Sequence, residues 1–136
     1  MNREDAVNFV SSNHRAVLVT RKSNGELQTS PVTVGVDGES YVVISSRETA
    51  YKVRNLRRDP RATICIFSDA FYGDWIQIDG TAELISLPDA MERLVDYYRS
   101  ISGEHPDWDD YRNAMTQERR LIIRISIDRA GPTKKG

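Results

Sequence analysis

Two hydroxyl side chains and a run of cations in the middle of the chain have the types and spacing of a phosphate site. Ser45 and Ser46 follow the apolar segment 41–44 and precede a short helix that the pattern predicts over residues 49–58. The first turn of a helix presents unpaired backbone N–H groups and the positive end of the helix dipole. Lys52 adds a full charge, and the arginines after it can hold phosphate oxygens with two N–H groups at once. We interpret this segment as the place where the phosphate of a cofactor binds.

A basic helix also occurs simply as a solvated surface, which is the commoner case. Here the cations lie at one end of one helix, and a strand and two hydroxyl residues precede them. From the residues alone, a binding site and a solvated surface are equally good interpretations.

The composition argues against several other functions. A chain of 136 residues is long enough for one domain with a hydrophobic core, which we assign to residues 1–136. Its net charge of −1 gives no general attraction to nucleic acid or to a membrane surface. The sequence has no apolar run of about 18 residues and no apolar core of a secretion signal near its start. We therefore expect a cytoplasmic protein without nucleic-acid or membrane partners.

The cysteine and the histidines give no sign of a metal site. Cys65 lies in the apolar segment 62–67 and is expected to be a small buried hydrophobe. With only His14 and His105 beside it, we expect no metal to be bound. Both histidines lie next to a predicted helix end or turn, where a capping role is the expectation.

Hydrophobic periodicity and turn signals predict the elements that must position these residues. Strands are predicted at 16–21, 27–36, 40–46, 61–68, 74–87 and 121–127. Helices are predicted at 3–12, 49–58, 88–101 and 107–118, followed by a loose polar tail at 129–136. Hairpin turns join the strands and no βαβ unit repeats. The prediction is a mixed α+β fold, mainly β, in which an antiparallel barrel of about six strands has helices packed outside.

Two residues interrupt the predicted strands. Pro31 has no N–H to offer to a ladder, so it predicts a bulge or a sheet edge, and bulges often lie next to functional sites. Gly80 interrupts the alternation of the long strand and predicts a bulge or a sharp bend.

Three segments carry a resemblance to a known family: KVRNLRRDPRA at 52–62, Gly80-Thr81-Ala82, and ISGEHPDWDDYR at 101–112. Together they resemble the split β-barrel flavin and deazaflavin oxidoreductases, the superfamily of pyridoxamine-phosphate-oxidase-like proteins. The closest likeness is to its actinobacterial branch that binds coenzyme F420, and it spans residues 16–127. The resemblance implies a split barrel and a homodimer, with the cofactor in a groove between the two subunits.

By position, the resemblance also implies a set of cofactor-binding residues. These are Gln28, Thr29, Ser30, Pro31, Val32, Thr33, Ser45, Ser46, Arg47, Tyr51, Lys52, Tyr72 and Trp75. Residues 28–33 would line one side of the cofactor through backbone and small side chains, while Ser45, Ser46 and Lys52 would hold its phosphate.

Close relatives often have an arginine two residues before the lysine, where this chain has Ala50, and Arg47 is our candidate for its replacement. Tyr72 and Trp75 fall where the family has aromatic residues near the ring system of the cofactor. Trp75 has an alternative role as a core aromatic of the barrel, and the sequence leaves both open.

The implied chemistry is hydride transfer from the reduced deazaflavin to a conjugated carbonyl, enone, quinone or tetrapyrrole-like acceptor. No Ser–His–Asp set, paired carboxylates or metal-ligand spacing is visible, so we name no catalytic residue and expect the cofactor to supply the reactivity. The ionised tail of coenzyme F420 needs cations, and the arginines at 54, 57, 58 and 61 favour it over FMN. An FMN-dependent enzyme of the pyridoxamine-phosphate-oxidase type and a non-catalytic protein that stores F420 are the alternatives.

Overall fold

Thirteen helices and strands make up the described part of the chain, which is residues 1–132 and the backbone of 134–135 in a computed structural model. In chain order they are α1 (Arg3–Ser12), β1 (Arg15–Arg21), β2 (Leu27–Thr33), β3 (Gly35–Asp37), β4 (Tyr41–Arg47), α2 (Tyr51–Arg58), β5 (Arg61–Phe67), β6 (Asp74–Ile85), α3 (Met91–Ser102), α4 (Trp108–Gln117), β7 (Arg120–Ser126), β8 (Arg129–Ala130) and β9 (Lys134–Lys135). Within these residues, no helix combines the length and the apolar character that crossing a membrane requires.

The strands form one curled antiparallel sheet. Its order is β2-β1-β5-β6-β7-β4-β3, and the short strands β8 and β9 also pair with β6. The long strand β6 joins the two halves, because residues 75–81 pair with β5 and residues 82–85 pair with β7. The predicted fold class, a split antiparallel barrel of the α+β type with helices packed against it, is thereby confirmed.

Gly80 lies where β6 changes its partner. A Cβ atom at this position would lie 1.7 Å from the carbonyl oxygen of Ser126, so only glycine fits against the end of β7. The pairing of β6 with β5 is continuous here, with Gly80 opposite Ala62. The predicted interruption is therefore a close approach between backbones, without a bulge toward β5.

The prediction of one strand over 27–36 is wrong, because the segment forms two strands with different partners. β2 pairs with β1 at the edge of the sheet, whereas β3 pairs with β4. The fully buried Val34 separates them, and its N–H donates to the carbonyl oxygen of His14 at 2.8 Å. Pro31 lies opposite Val17 in a continuous ladder, so of the two predicted alternatives the sheet edge is correct.

The tail that we expected to be loose begins with a paired strand. Arg129 and Ala130 pair with Asp79 and Ile78 of β6, and the Arg129 side chain donates to the Asp79 carboxylate at 3.2 Å. These backbone and charged contacts were not visible in a short polar sequence. Positions 133 and 136 of the predicted tail lie outside the described residues.

Two apolar clusters hold the helices that carry the candidate site. Alternate strand positions such as Leu18 and Ile64 fill the inside of the curl, and α2 adds Val53 and Leu56 to this cluster. A second cluster, around Leu94 of α3, lies between the α3–α4 pair and the sheet. Because burial of apolar surface stabilises both contacts, α2 and the α3–α4 pair are fixed on the sheet with a space between them.

Candidate functional site

A cavity of about 670 Å³ opens where β2, β4, α2, the α3–α4 pair and β7 meet. It is lined by Pro31, Val32, Thr33, Ser45, Lys52, Tyr97, Tyr98, Tyr111, Met115 and Arg120. The hydroxyl of Tyr97 donates to the carbonyl oxygen of Thr33 at 2.8 Å, which fastens α3 to the end of β2. We call this space the phosphate cavity, after the expectation from the sequence that a cofactor phosphate binds here.

The structure brings five of the predicted site residues to the phosphate cavity. They are Pro31, Val32, Thr33, Ser45 and Lys52. Gln28 and Tyr51 line a neighbouring cavity, whereas Thr29 and Ser30 lie on β2 without lining either space.

The two neighbouring serines face opposite sides of β4. Successive side chains of a strand alternate between the faces of a sheet. Ser45 lines the phosphate cavity, while Ser46 is 3% exposed and belongs to the buried positions of the strand. The structure therefore separates two hydroxyls that the sequence had suggested as one pair.

The start of α2 carries positive charge that no acidic side chain of the described chain compensates. Ala50 occupies the N-cap and has no side-chain acceptor for the N–H groups of the first turn. Lys52, in that first turn, forms no ion pair with any carboxylate of the described chain. Partial burial and, secondarily, repulsion from Arg120 lower the pKa of Lys52 below its ordinary value of 10.5. Burial and a neighbouring cation thus both disfavour the charged form of Lys52.

Arg47, the expected replacement for the missing arginine, lies outside the lining of the phosphate cavity. Its Nη2 donates to Oε1 of Glu118 at 3.1 Å. Arg120 lies directly opposite Arg47 in the β4–β7 pair and does line the cavity. No sequence pattern indicated Arg120, because its position beside Ser45 depends on which strand pairs with β4.

Three tyrosines form a wall of the phosphate cavity that sequence reasoning missed. Tyr97 and Tyr98 come from α3, and Tyr111 comes from α4. The Tyr111 hydroxyl donates to the Leu94 carbonyl at 2.7 Å, and burial raises its pKa to about 12. The positions of the tyrosines along α3 and α4 are those of packing residues. Only the tertiary structure brings the two helices together at the cavity.

The stretch that starts α4 caps that helix and packs its aromatic side chains against α3. Asp107 is the N-cap, and its carboxylate accepts from the N–H of Asp110 at 3.1 Å. The His105 ring accepts from the N–H of Asp107 at 2.9 Å and packs against Tyr98 with 5.1 Å between ring centroids. His105 therefore supports the tyrosine wall from behind.

Tyr72 and Trp75 lie away from the phosphate cavity of their own chain. Tyr72 is 74% exposed in the turn between β5 and β6. Trp75 lies opposite Phe67, which lies opposite Arg15, which in turn lies opposite Thr33. Three strand spacings place Trp75 roughly 14 Å from Thr33.

A second cavity of about 450 Å³ lies between α2 and the β1–β2 hairpin, and we call it the basic cavity. It is lined by Lys22, Ser23, Gln28, Tyr51, Arg54, Asn55 and Arg58. The Asn55 amide holds the two elements together, donating to the Thr20 hydroxyl at 3.1 Å and to Gln28 Oε1 at 2.6 Å.

The cations near α2 differ in whether an acid neutralises them. Arg57 pairs with Glu48, and Arg61 pairs with Asp59. Among the described residues, Lys22 and Arg54 have no carboxylate partner, and Arg58 donates to the Arg21 carbonyl at 2.8 Å. Cations without a carboxylate partner are therefore present in both cavities.

Comparisons with solved structures show the same fold. The conserved hypothetical protein Rv2991 from Mycobacterium tuberculosis superposes with a TM-score of 0.79 at 22% identity, over 99% of this chain and 85% of that one. An F420 reductase gives 0.71 at 14% identity, over 91% and 94%. General Stress Protein 26 from Bacillus anthracis gives 0.70 at 10% identity, over 98% of each chain.

The family comparison is more specific than the structural ones. The model of the pyridoxamine 5'-phosphate oxidase family matches residues 3–134, which include both strand halves, α2 and the tyrosine wall. The family resemblance that the motifs at 52–62, 80–82 and 101–112 indicated is thus confirmed. With its curled split barrel and a cavity at the start of α2, this chain belongs to the pyridoxamine 5'-phosphate oxidase family.

Proposed function

We propose that this protein is an oxidoreductase that binds coenzyme F420 in the phosphate cavity and reduces conjugated acceptors. The observation that carries the proposal is the unpaired positive charge of Lys52 in the phosphate cavity and of Lys22 and Arg54 in the basic cavity. A cofactor with a phosphate followed by an ionised tail matches charges that extend beyond one anion site. The short phosphate tail of FMN leaves the charges of the basic cavity without a partner.

The residues of the phosphate cavity fit a phosphate group. Ser45 supplies a hydroxyl, Lys52 supplies a charge, and the first turn of α2 supplies N–H groups that Ala50 leaves uncapped. Pro31, Val32 and Thr33 line the adjoining wall, where the cofactor would lie against small side chains and backbone. When bound, the reduced deazaflavin supplies a hydride to a conjugated carbonyl, enone, quinone or tetrapyrrole-like acceptor. The chain's own contribution is to bind and orient the cofactor and to keep water from one of its faces.

The proposal includes a homodimer in which each subunit completes the other's cofactor groove. The outer face of β1 and β5 carries the half-buried apolar side chains of Val17, Val19, Cys65 and Phe67. Tyr72 lies at the end of this face and is largely exposed. A second copy packed on the face would cover these side chains and bring an aromatic residue toward the partner's cofactor.

An FMN-dependent enzyme of the pyridoxamine-phosphate-oxidase type is the second candidate. The family match favours it, and one phosphate cavity would be sufficient for FMN. A non-catalytic protein that stores F420 is a third candidate and shares every binding residue with the first.

Titration of the purified protein with oxidised F420 and with FMN, followed by fluorescence, separates the first two candidates. We expect tighter binding of F420, because only this cofactor has anionic groups for the basic cavity. Equal or tighter binding of FMN would contradict the proposal. Stopped-flow oxidation of bound reduced F420 by a panel of enones, quinones and tetrapyrroles then tests catalysis, and tight binding without acceleration by any acceptor would favour the storage protein.

A further inference from the structure

Arg120 lines the phosphate cavity but lies on β7, outside the segment 45–58 that is predicted to bind phosphate. It is the first residue of β7 and lies opposite Arg47 of β4, while Ser45 lies opposite Ile122. Residues two apart on a strand share a face, so Arg120 and Ser45 are diagonal neighbours on the same side of the sheet. Such neighbours lie roughly 7–8 Å apart, so the long side chain of Arg120 and the short side chain of Ser45 can contact the same phosphate group.

A carboxylate outside the lining of the cavity holds Arg120 in place. Oε1 of Glu118 accepts from Nε of Arg120 at 3.1 Å and from its Nη2 at 2.8 Å. The same oxygen accepts from Arg47 at 3.1 Å. Two cations opposite each other on neighbouring strands repel, and the shared carboxylate offsets this repulsion. In the described chain, Nη1 of Arg120 has no hydrogen-bond partner, which leaves it available to a ligand.

The lining of the phosphate cavity carries positive charge and no negative charge, which favours an anion as its ligand. Lys52 and Arg120 line it, and no acidic residue of the described chain does. The two cations are close enough that Arg120 contributes to lowering the pKa of Lys52. The Arg120 side chain is 25% exposed, compared with 57% for Arg47, so a bound anion would be better shielded from water beside Arg120.

We propose that Arg120 is the second cation that holds the cofactor's phosphate group, in place of the arginine that Ala50 does not provide, and that Glu118 is its positioning residue. The inference rests on the proposed function only in requiring a cofactor with a phosphate group, which F420 and FMN share. It transfers the role that the sequence suggested for Arg47 to a residue 73 positions later in the chain.

The test compares dissociation constants of F420 and FMN for wild type, Arg120→Ala, Arg120→Gln, Arg47→Ala and Lys52→Ala. We expect each Arg120 variant and Lys52→Ala to lose about 10- to 100-fold in affinity, the range of a charged hydrogen bond. Arg47→Ala should change affinity by less than about threefold. Arg112→Ala, which removes an exposed cation on α4, is the control for a general loss of charge. Arg120→Gln removes the charge but keeps a long side chain, so it replaces Arg120→Ala in the test if the Ala variant folds poorly.

A second measurement reports on position without relying on affinity. The pKa of Lys52, followed by NMR of its side chain, should rise in Arg120→Ala because the repulsion is removed, and stay unchanged in Arg47→Ala. Glu118→Gln should weaken cofactor binding less than Arg120→Ala, since the guanidinium remains but is no longer fixed by charge. An arginine with a purely structural role would change the melting temperature and leave the pKa of Lys52 unaltered.

The outcomes separate this inference from the proposed function. If wild type binds a cofactor and Lys52→Ala weakens it while both Arg120 variants bind normally, the inference is overturned and the proposed function stands. If neither cofactor binds wild type, the proposed function fails, and pyrophosphate decides the inference. A rise in melting temperature with pyrophosphate that is lost in Arg120→Gln and kept in Arg47→Ala supports Arg120 as an anion-binding residue, and an equal rise in both variants contradicts it.

Discussion

At the scale of single residues, the candidate site depends on one uncompensated lysine. Lys52 lies in the first turn of α2, partly buried and beside Arg120, without a carboxylate partner in the described chain. Burial and repulsion both make the charged form less favourable, and a bound phosphate would reverse this by supplying the missing counter-charge. The charged form of Lys52 is therefore destabilised in the free protein, and a bound anion would stabilise it.

This state of Lys52 predicts how cofactor affinity depends on pH. Binding needs the protonated amine, so affinity should be full at neutral pH and decrease as the pH rises through the lowered pKa, below 10.5. In the free protein the pH dependence has the opposite sign. The contribution of Lys52 to the free energy of unfolding increases as the pH rises from its lowered pKa to 10.5, because the folded state disfavours the charged amine. Burial raises the pKa of Tyr97 and Tyr111 in the same cavity, so their ionisation comes later.

Dissociation constants measured from pH 7 to 10 test this dependence. The decrease should disappear in Lys52→Ala, whose affinity is lower but independent of pH over this range. A decrease of equal size in wild type and Lys52→Ala would assign the effect to another group.

At the scale of elements, α2 divides its charges between two cavities. Lys52 lines the phosphate cavity, while Tyr51, Arg54, Asn55 and Arg58 line the basic cavity. The buried amide of Asn55 ties α2 to the β1–β2 hairpin, so the two cavities keep a fixed relation to each other. A ligand with two separated anionic parts would meet positive charge in each of the two cavities.

Removal of the two unpaired cations of the basic cavity should therefore discriminate between cofactors. We expect the double variant Lys22→Ala/Arg54→Ala to lose about 2- to 30-fold in affinity for F420, the sum expected for two exposed charges at about 0.2–1 kcal/mol each. Its affinity for FMN should stay within about twofold of wild type. The double variant Arg99→Ala/Arg112→Ala removes two exposed cations on α3 and α4 and serves as the matched control. A parallel loss for both cofactors would show that the basic cavity does not contact the tail.

At the scale of the whole molecule, the curled sheet leaves one face incompletely covered. On this face, Val17 and Val19 of β1 and Cys65 and Phe67 of β5 are half-buried apolar side chains, with Val17 opposite Cys65. The inner face of the same strands is fully buried under the core of the barrel. A sheet whose second face is apolar gains stability when another surface covers it.

We expect light scattering to give twice the chain mass of 15.5 kDa at micromolar concentration. Val17→Glu, in the middle of the outer face, should shift the protein toward the monomer and weaken cofactor binding, because a buried charge without a partner is unfavourable. Asn8→Glu, an exposed change on α1, should alter neither. A wild-type monomer that binds the cofactor with full affinity would exclude a shared groove.

The sequence determined those parts of the protein that depend on local interactions. The bounds of α1 agree with the prediction at Arg3–Ser12. Asn2 caps this helix, since its side-chain oxygen accepts from the N–H of Asp5 at 2.8 Å. Alternating hydrophobicity located the strands, and the hydroxyls and cations around Lys52 predict a phosphate site at the start of α2. These features arise within a few residues, so periodicity and capping rules are sufficient to recognise them.

Only the tertiary structure decided which of these residues act together. It separated Ser45 from Ser46 by strand alternation, moved Arg47 away from the cavity and brought Arg120 to it through the β4–β7 pairing. It also joined α3 and α4 into a wall of tyrosines. Each of these depends on a contact between residues far apart in the chain. Hydrophobic periodicity states that a strand has a buried face, but it carries no information about which partner lies beside that face.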